Sequence, residues 1–213
     1  MKNIDKKIAK KIVKTDFYID RVVFWFIKKP KGIGLKKMRE TCGDVHFNND
    51  AKMQFGEYRQ FTVMIDFKQP SIEALKKLEE VAKRNNLGYI IGHFEPAMDL
   101  VTKTEKDARE VSDYLSDKLL NYSENEVECE KFKGTYYFNA HGPKITLVMY
   151  HDKISKTAMK PCAHIEYRYY EWKACQSIGI YCISDIIETF DNKQFWKDHL
   201  VLNDPESNHD MDV

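Results

Sequence analysis

Segments with the composition of β-strands alternate along this chain with segments of helical periodicity, and that order constrains the fold. FYIDRVVFWFI (17–27) and EYRQFTVMIDF (57–67) are rich in aromatic and branched residues, which favour strands. Pro70 and Ser71 begin a predicted helix, because the apolar positions after them have a helical spacing: Ile72, Leu75, Leu78 and Ala82. The next apolar run, residues 88–95, predicts a third strand.

The second half of the chain predicts a further long helix and then a run of strands. Thr104 and Asp107 form an approximate capping box ahead of a segment with one apolar side. Three strands are predicted after it, over 134–140, 144–152 and 162–170, and the HGP of 141–143 makes a hairpin turn between the first two. Short helices are predicted over 35–43, 171–177, 184–189 and 194–200. The order is roughly β-α-β-α-β-α-β-β-β-α.

The closing strands are linked by hairpins, so the predicted fold class is α+β. It has a central antiparallel sheet of about five or more strands, flanked by helices. With 213 residues, 43% of them hydrophobic, the chain can bury a substantial core. We predict a single domain over 16–200, a basic N-terminal helix over 1–15 and a disordered acidic tail over 201–213.

Composition excludes several classes of protein. A net charge of +1 provides no general attraction to nucleic acid, so any such binding must come from local patches. The five cysteines include no CxxC pair and no signal peptide precedes them, which predicts reduced thiols in a cytoplasm. No run approaches 18 apolar residues, which predicts a soluble protein with no membrane segment.

The strand predicted over 88–95 carries polar residues near its end. His93 and Glu95 alternate onto the same face as Ile91, and Asp99 follows four residues after Glu95. Burying an unpaired carboxylate costs several kcal/mol, so Glu95 requires water, a cation or a metal ion. Two interpretations are open: a strand end that faces solvent, or a metal site.

The strand CAHIEYRYY (162–170) also alternates between two kinds of face. One face is polar: His164, Glu166, Arg168 and Tyr170. The other is apolar or aromatic: Ile165, Tyr167 and Tyr169. The polar face is too hydrophilic for a core, which leaves a solvated Glu–Arg pair or a functional surface. Tyr170 precedes Lys173 by three residues, and a nearby ammonium makes nucleophilic attack by a tyrosine feasible.

Two segments with lysines are further candidates. MYHDK (149–153) ends a strand, and its Lys153 could neutralise a phosphate while His151 or Asp152 supports a metal or a proton transfer. An ordinary charged strand end is the alternative. The N-terminal helix, which includes Lys10 and Lys11, is either a solvated helix docked on its isoleucines or a contact to the DNA backbone.

Together these segments resemble rolling-circle replication initiators of the filamentous-phage gene II type and related plasmid Rep proteins. EPAMDL (95–100) is similar to their E-x-A-x-D-hydrophobic strand end, MYHDK to their I-Y-D-K strand, and AHIEYRYY to their R-x-E-x-R. QSIGIYCISDIIETFDNKQFWKDHL (176–200) resembles their tail. The resemblance covers residues 88–200 and rests on the order and spacing of the motifs.

This resemblance implies the HUH endonuclease class, with an antiparallel sheet, a divalent metal and a tyrosine nucleophile. The tyrosine attacks a DNA phosphodiester, leaving a 5′-phosphotyrosine and a free 3′-OH. The implied metal is Mg²⁺ or Mn²⁺, and its implied ligands are His93, Glu95, Asp99 and Glu166. The implied catalytic residues are Tyr170 and Lys173. Apart from the resemblance, we predict that Lys153, Arg168, Lys10 and Lys11 contact the DNA, because local charges must supply the attraction.

The chain departs from the family pattern at three points. His93-Phe94-Glu95 stands where histidine–hydrophobic–histidine is usual, so Glu95 would replace the second histidine. His164 stands where an arginine is expected. The cluster of Tyr167, Tyr169 and Tyr170 leaves the nucleophile ambiguous, with Tyr170 preferred because it shares a face with Glu166 and precedes Lys173.

The predicted function is metal-dependent nicking and strand transfer at the origin of a phage, plasmid or mobile element. The partner is single-stranded or hairpin DNA, in the cytoplasm of a bacterial or archaeal host. No helicase or P-loop signature occurs, so a host helicase would unwind the DNA and a host polymerase would extend the 3′-OH. A non-catalytic nucleic-acid-binding module with the same fold is the alternative, and a generic interaction protein with solvated strand ends is a third.

Overall fold

Ten strands lie in the residues that the computed structural model describes, which are 4–32, 44–49, 52–55, 59–120, 129–138, 144–200 and 202. They are β1 Ile12–Phe26, β2 Asp44–Asn48, β3 Met53–Phe55, β4 Arg59–Phe61, β5 Val63–Lys68, β6 Tyr89–Thr102, β7 Cys129–Phe132, β8 Thr135–Phe138, β9 Ile145–Tyr150 and β10 Cys162–Tyr170. Eight form one sheet in the order β2-β5-β1-β6-β10-β9-β8-β7, and β3 pairs with β4.

Helices flank this antiparallel sheet, which confirms the predicted α+β class. They are α1 Lys6–Ala9, α2 Ile72–Arg84, α3 Glu105–Leu120, α4 Trp172–Ser177 and α5 Asn192–His199, with a π-helical turn at Asp185–Thr189. None of the described helices is long and apolar enough to cross a membrane. Contacts group the chain into two units. Unit 1 is Met1–Phe17, Ala97–Tyr167 and Asp191–Val213, and unit 2 is Tyr18–Pro96 and Arg168–Phe190.

In unit 2, β1 and β5 pair antiparallel and place Phe24 opposite Ile65 in the core. Helix α2 begins as its sequence predicts, because the Ser71 hydroxyl accepts a hydrogen bond from the Ala74 N–H at 3.0 Å. The apolar face of α2 is buried: Ala74, Leu75, Leu78, Val81 and Ala82. The single strand predicted over 57–67 is two strands, β4 and β5, with Thr62 between them.

In unit 1, Thr104 caps the start of α3 as the sequence predicts. The Thr104 hydroxyl accepts from the Asp107 N–H at 3.1 Å and donates to the Asp107 carboxylate at 2.7 Å. The apolar side of α3 is fully buried at Ala108, Val111 and Leu115. Local periodicity and capping were sufficient to predict this element.

The basic helix predicted over 1–15 is wrong in its extent. Helix α1 has only four residues, and β1 already begins at Ile12. The reason is local: Ile12, Val13 and Thr15 are β-branched and favour an extended backbone.

Other boundaries differ as well, and some predictions fall outside the described residues. Strands β2, β3 and β7 were not predicted, and the strand predicted over 88–95 continues to Thr102. The helix over 35–43, the turn at 141–143 and the tail over 201–213, apart from Leu202, lie outside the described residues. The four described cysteines are free thiols: Cys129, Cys162, Cys175 and Cys182.

Candidate active site

The polar residues of β6 are buried inside the strand. His93 is 6% exposed, Glu95 5% and Asp99 0%. The interpretation of this segment as a solvent-facing strand end is therefore wrong, and Asp99 is part of the strand itself. Because buried charged groups need partners, each of these side chains must be matched by a neighbour.

In unit 2, His93 and Glu95 form a buried pair with two residues of β10 beside them. Nε2 of His93 lies 2.5 Å from Oε1 of Glu95, and Nε of Arg168 lies 3.6 Å from the same oxygen. The ring of Tyr170 packs on the imidazole of His93, with 4.9 Å between the ring centroids. We call these four residues the His93 cluster; Tyr170 is its most accessible member, at 36% exposed.

The other two tyrosines of β10 belong to the core. Tyr167 is 6% exposed and Tyr169 is 2% exposed. The ring of Tyr167 packs against Phe195 and Trp196, and burial raises the pKa of its hydroxyl to about 12. Of the three tyrosines at the end of β10, only Tyr170 is accessible to a large substrate.

The backbone that follows Tyr170 has an uncommon conformation. Glu171 has φ 71° and ψ 156°, a region populated almost only by glycine, which costs about 1–3 kcal/mol for other residues. The Glu171 N–H donates to the Gly92 carbonyl at 2.9 Å. Gly92 itself has no room for a side chain, since a Cβ there would lie 2.5 Å from the Trp25 ring. These contacts hold the end of β10 beside β6, next to His93.

Arg21 is a member of this neighbourhood that the sequence analysis missed. Its guanidinium donates to both carboxylate oxygens of Asp66, at 2.9 and 2.8 Å. The hydrogen bond to Asp66 raises the pKa of Arg21, burial opposes that rise, and the charges of Glu95 and Arg168 act in opposite directions. The charged pair Asp20-Arg21 inside the strand predicted over 17–27 was the sequence signal that could have revealed it.

In unit 1, Asp99, His164 and Glu166 form a second buried group, the His164 triad. His164 contacts Asp99 at 2.7 Å through Nδ1 and Glu166 at 3.0 Å through Nε2. Burial alone would lower the pKa of His164, but the hydrogen bonds to the two carboxylates outweigh it and raise the pKa to about 9. At neutral pH His164 is therefore a cation between two carboxylates. The view of this face as too polar for a core is wrong, because His164 and Glu166 are both buried and His164 hydrogen-bonds two carboxylates.

The segment after β9 lies next to the His164 triad. The rings of Tyr150 and His164 stack with 4.4 Å between centroids, and Nζ of Lys153 lies 4.4 Å above the Tyr150 ring. A surface pocket here is lined by Glu105, Arg109, His151, Asp152, Lys153, Ile154 and Pro161. Lys153 thus lies at a surface pocket together with Arg109, which the sequence analysis did not single out.

The structure brings predicted residues together within each unit. In unit 2 His93 contacts Glu95, and in unit 1 Asp99 and Glu166 both contact His164. Nζ of Lys173 lies 5.6 Å above the ring of Trp172.

The two predicted N-terminal DNA contacts have different surroundings. Nζ of Lys11 is 2.8 Å from a carboxylate oxygen of Asp107 and of Glu110, so this lysine pairs with two acidic residues of α3. Lys10 is exposed. A contact between either residue and DNA stays a prediction.

His164→Leu is expected to destabilise the protein by about 3–5 kcal/mol, because it leaves two buried carboxylates without their cation. Urea denaturation measures the change. The control is His46→Leu, since His46 is 55% exposed in its 2.6 Å pair with Asp44 and should contribute less than about 1 kcal/mol. Equal effects of the two substitutions would show that the His164 triad does not stabilise the fold.

Comparison with known proteins finds a likeness among solved structures. No family model matches the chain, and no curated protein matches it. The solved structure of a rolling circle replication initiator protein from Geobacillus stearothermophilus is similar, with a TM-score of 0.39 and 14% sequence identity over 82% of this chain and 80% of that one.

Proposed function

We propose that this protein nicks single-stranded DNA and rejoins it through a covalent tyrosine intermediate, as the initiator of rolling-circle replication of a phage, plasmid or mobile element. The observation that supports this most is the His93 cluster: a buried imidazole–carboxylate pair with an accessible tyrosine packed directly on it. Few structural roles require a tyrosine hydroxyl, an arginine and a buried histidine–glutamate pair side by side on two neighbouring strands.

Tyr170 is the proposed nucleophile. Its hydroxyl oxygen forms a bond to phosphorus while the bond from phosphorus to the 3′ oxygen breaks. The phenolic proton is lost and the departing 3′ oxygen gains one, so the step needs no other reactant. The reverse reaction with a 3′-OH reseals the strand, because the phosphotyrosine conserves the phosphodiester linkage.

Arg168 and Lys173 are the proposed cationic partners of the phosphate. Arg168 lies 3.6 Å from Glu95 with 29% of its side chain exposed, so its guanidinium can remain near the carboxylate and still reach a ligand. Lys173 is exposed in the first turn of α4. Both would stabilise negative charge that develops on the phosphate during transfer.

His93 and Glu95 are the proposed metal-binding residues. An imidazole and a carboxylate oxygen are a donor set that suits Mn²⁺ and, with water, Mg²⁺. When bound, such a cation would polarise the scissile phosphate. Nε2 of His93 and Oε1 of Glu95 share a proton in their 2.5 Å hydrogen bond. A metal ion bound to both atoms would have to replace that proton, so metal binding should weaken at low pH.

A non-catalytic DNA-binding module is the second candidate. The His164 triad favours it, because Asp99 and Glu166 are both engaged with a protonated histidine and are thereby less available to a metal. This candidate retains DNA binding, and requires neither a nucleophile nor a cation.

One experiment separates the two candidates. The full chain is incubated with a labelled pool of single-stranded oligonucleotides, with Mn²⁺ or with EDTA, and run on a denaturing SDS gel. Nicking activity predicts an SDS-stable protein–DNA adduct that appears with Mn²⁺ and not with EDTA. A protein that shifts the same DNA on a native gel and forms no adduct from the pool would contradict the proposed chemistry and support the binding module.

A further inference from the structure

We infer that the 151–161 loop, between β9 and β10, is a preformed binding element for single-stranded nucleic acid. It would pack Ile154 and Met159 on unstacked bases and hold phosphates with its lysines. The inference rests on the proposed function, because it specifies how the DNA strand is held beside the cleavage chemistry.

The 151–161 loop is braced by its own hydrogen bonds. Ile154 and Pro161 form an antiparallel bridge, and the Ser155 N–H donates to the Lys160 carbonyl at 2.8 Å. Ser155 is 1% exposed, and its hydroxyl accepts from the Ala158 N–H at 3.1 Å. A loop with this much internal bonding loses little conformational entropy when it binds a ligand.

Within this braced loop, two large apolar side chains face solvent. Ile154 is 58% exposed and Met159 is 75% exposed. Met159 also has φ 53°, a left-handed conformation that is uncommon for a residue other than glycine, asparagine or aspartate. The loop thus keeps Met159 at its surface in a conformation that costs energy, which is typical of a binding element.

The charges of the 151–161 loop suit a polyanion. Lys153, Lys156 and Lys160 are all exposed, against the single acidic residue Asp152. Nearby in unit 1, Lys14 is 62% exposed and pairs with Asp16, which in turn accepts a hydrogen bond from the Thr157 hydroxyl at 2.8 Å. This local excess of lysine matters because the net charge of the whole chain is only +1.

The pocket at the base of the loop has the mixture of groups that a nucleotide needs. Ile154 and Pro161 provide an apolar wall, and Arg109 and Lys153 provide cations for a phosphate. The acidic residues Glu105 and Asp152 also line it, and carboxylates can accept hydrogen bonds from base amino groups. An acidic peptide would match the lysines but brings no unstacked bases to the exposed Ile154 and Met159, so the loop favours nucleic acid.

A second exposed apolar residue between lysines provides a matched control. Phe132 is 61% exposed between Lys131 and Lys133, where β7 turns into β8. Strand β7 is at the edge of the sheet, with β8 and β9 between it and β10. Phe132→Ser therefore removes exposed apolar surface, as substitution of Ile154 and Met159 does, but at a site with no proposed role.

The test measures binding of the full chain to a fluorescent mixed-sequence single strand, in EDTA and at several salt concentrations. Ile154→Ser/Met159→Ser should lower the affinity about tenfold without changing the salt slope. Lys153→Gln/Lys160→Gln should lower the affinity and reduce the slope by about 1.4, which corresponds to two phosphates. Phe132→Ser should bind like the wild type. Bound DNA should also slow the peroxide oxidation of Met159, measured by peptide mass spectrometry.

Other results would overturn the inference. A wild-type affinity in Ile154→Ser/Met159→Ser, or an equal loss in Phe132→Ser, would show that the loop does not contact bases. A loss of DNA affinity in the lysine variant alone would show that Ile154 and Met159 do not contact DNA and would point to another partner, such as a protein. If the wild type bound DNA and formed the Mn²⁺-dependent adduct in these cases, the proposed function would stand. A wild type that bound no DNA at all would instead contradict the function itself.

Discussion

Tyr170→Phe is expected to bind single-stranded DNA like the wild type and to form no SDS-stable adduct with it. Removing one hydroxyl leaves the ring packed on His93, so the fold and the DNA surface are retained. The bond to phosphorus can no longer form, and the loss of nicking should exceed about 10³-fold, as for other nucleophile deletions. The adduct is quantified on denaturing gels, and binding is measured separately by fluorescence anisotropy.

Two control tyrosines make this result specific. Tyr181 is 60% exposed in the same unit, and Tyr181→Phe should form the adduct at the wild-type level. Tyr169 is buried, so Tyr169→Phe should also form it. Peptide mapping of the trapped adduct identifies the attached residue. DNA linked to Tyr167 or Tyr169 would overturn the assignment of the nucleophile.

Glu95→Gln is expected to abolish metal-dependent cleavage while the protein stays folded. The amide has the shape of the carboxylate but no charge, so it is a poor ligand for a hard cation. We expect cleavage to fall more than about 10²-fold and the affinity for Mn²⁺ to fall more than about tenfold. Isothermal titration calorimetry with Mn²⁺ alone measures the second effect independently of activity, and Glu95→Ala should behave in the same way.

Glu79→Gln is the matched control for Glu95→Gln. Glu79 is a largely buried carboxylate of unit 2 that pairs with Lys83 at 2.9 Å and accepts a hydrogen bond from Ser184. Losing its charge should reduce stability slightly and leave Mn²⁺ binding unchanged. Undiminished cleavage and Mn²⁺ affinity in Glu95→Gln would remove Glu95 from the metal site.

Local patterns in the sequence were sufficient for the long helices and for the assignment of strand faces. Ser71 and Thr104 were recognisable as helix starts because capping acts within three or four residues. Alternation along β10 correctly separated the core residues Tyr167 and Tyr169 from Tyr170. The prediction of a long N-terminal helix was wrong. The isoleucine spacing there fits a helix, but the β-branched residues from Ile12 onward form a strand.

The candidate site was predictable only in part. His93, Glu95 and Tyr170 were recognisable as chemically unusual on their strands, and the structure places them side by side. Arg21 was missed, since it comes from β1 and its relation to Glu95 depends on how distant strands assemble. The role of His164 was also missed, because its partner Asp99 is 65 residues away in the chain.

By itself the sequence determined the α+β class, the helix starts and which residues share a strand face, because these depend on propensities and periodicities of a few neighbouring residues. Only the tertiary structure decided what covers each face. It buried His93, Glu95, His164 and Glu166 and made His164 a cation between two carboxylates. It also left Tyr170 accessible beside His93. Burial and charge pairing arise from residues far apart in the chain, so no local pattern encodes them.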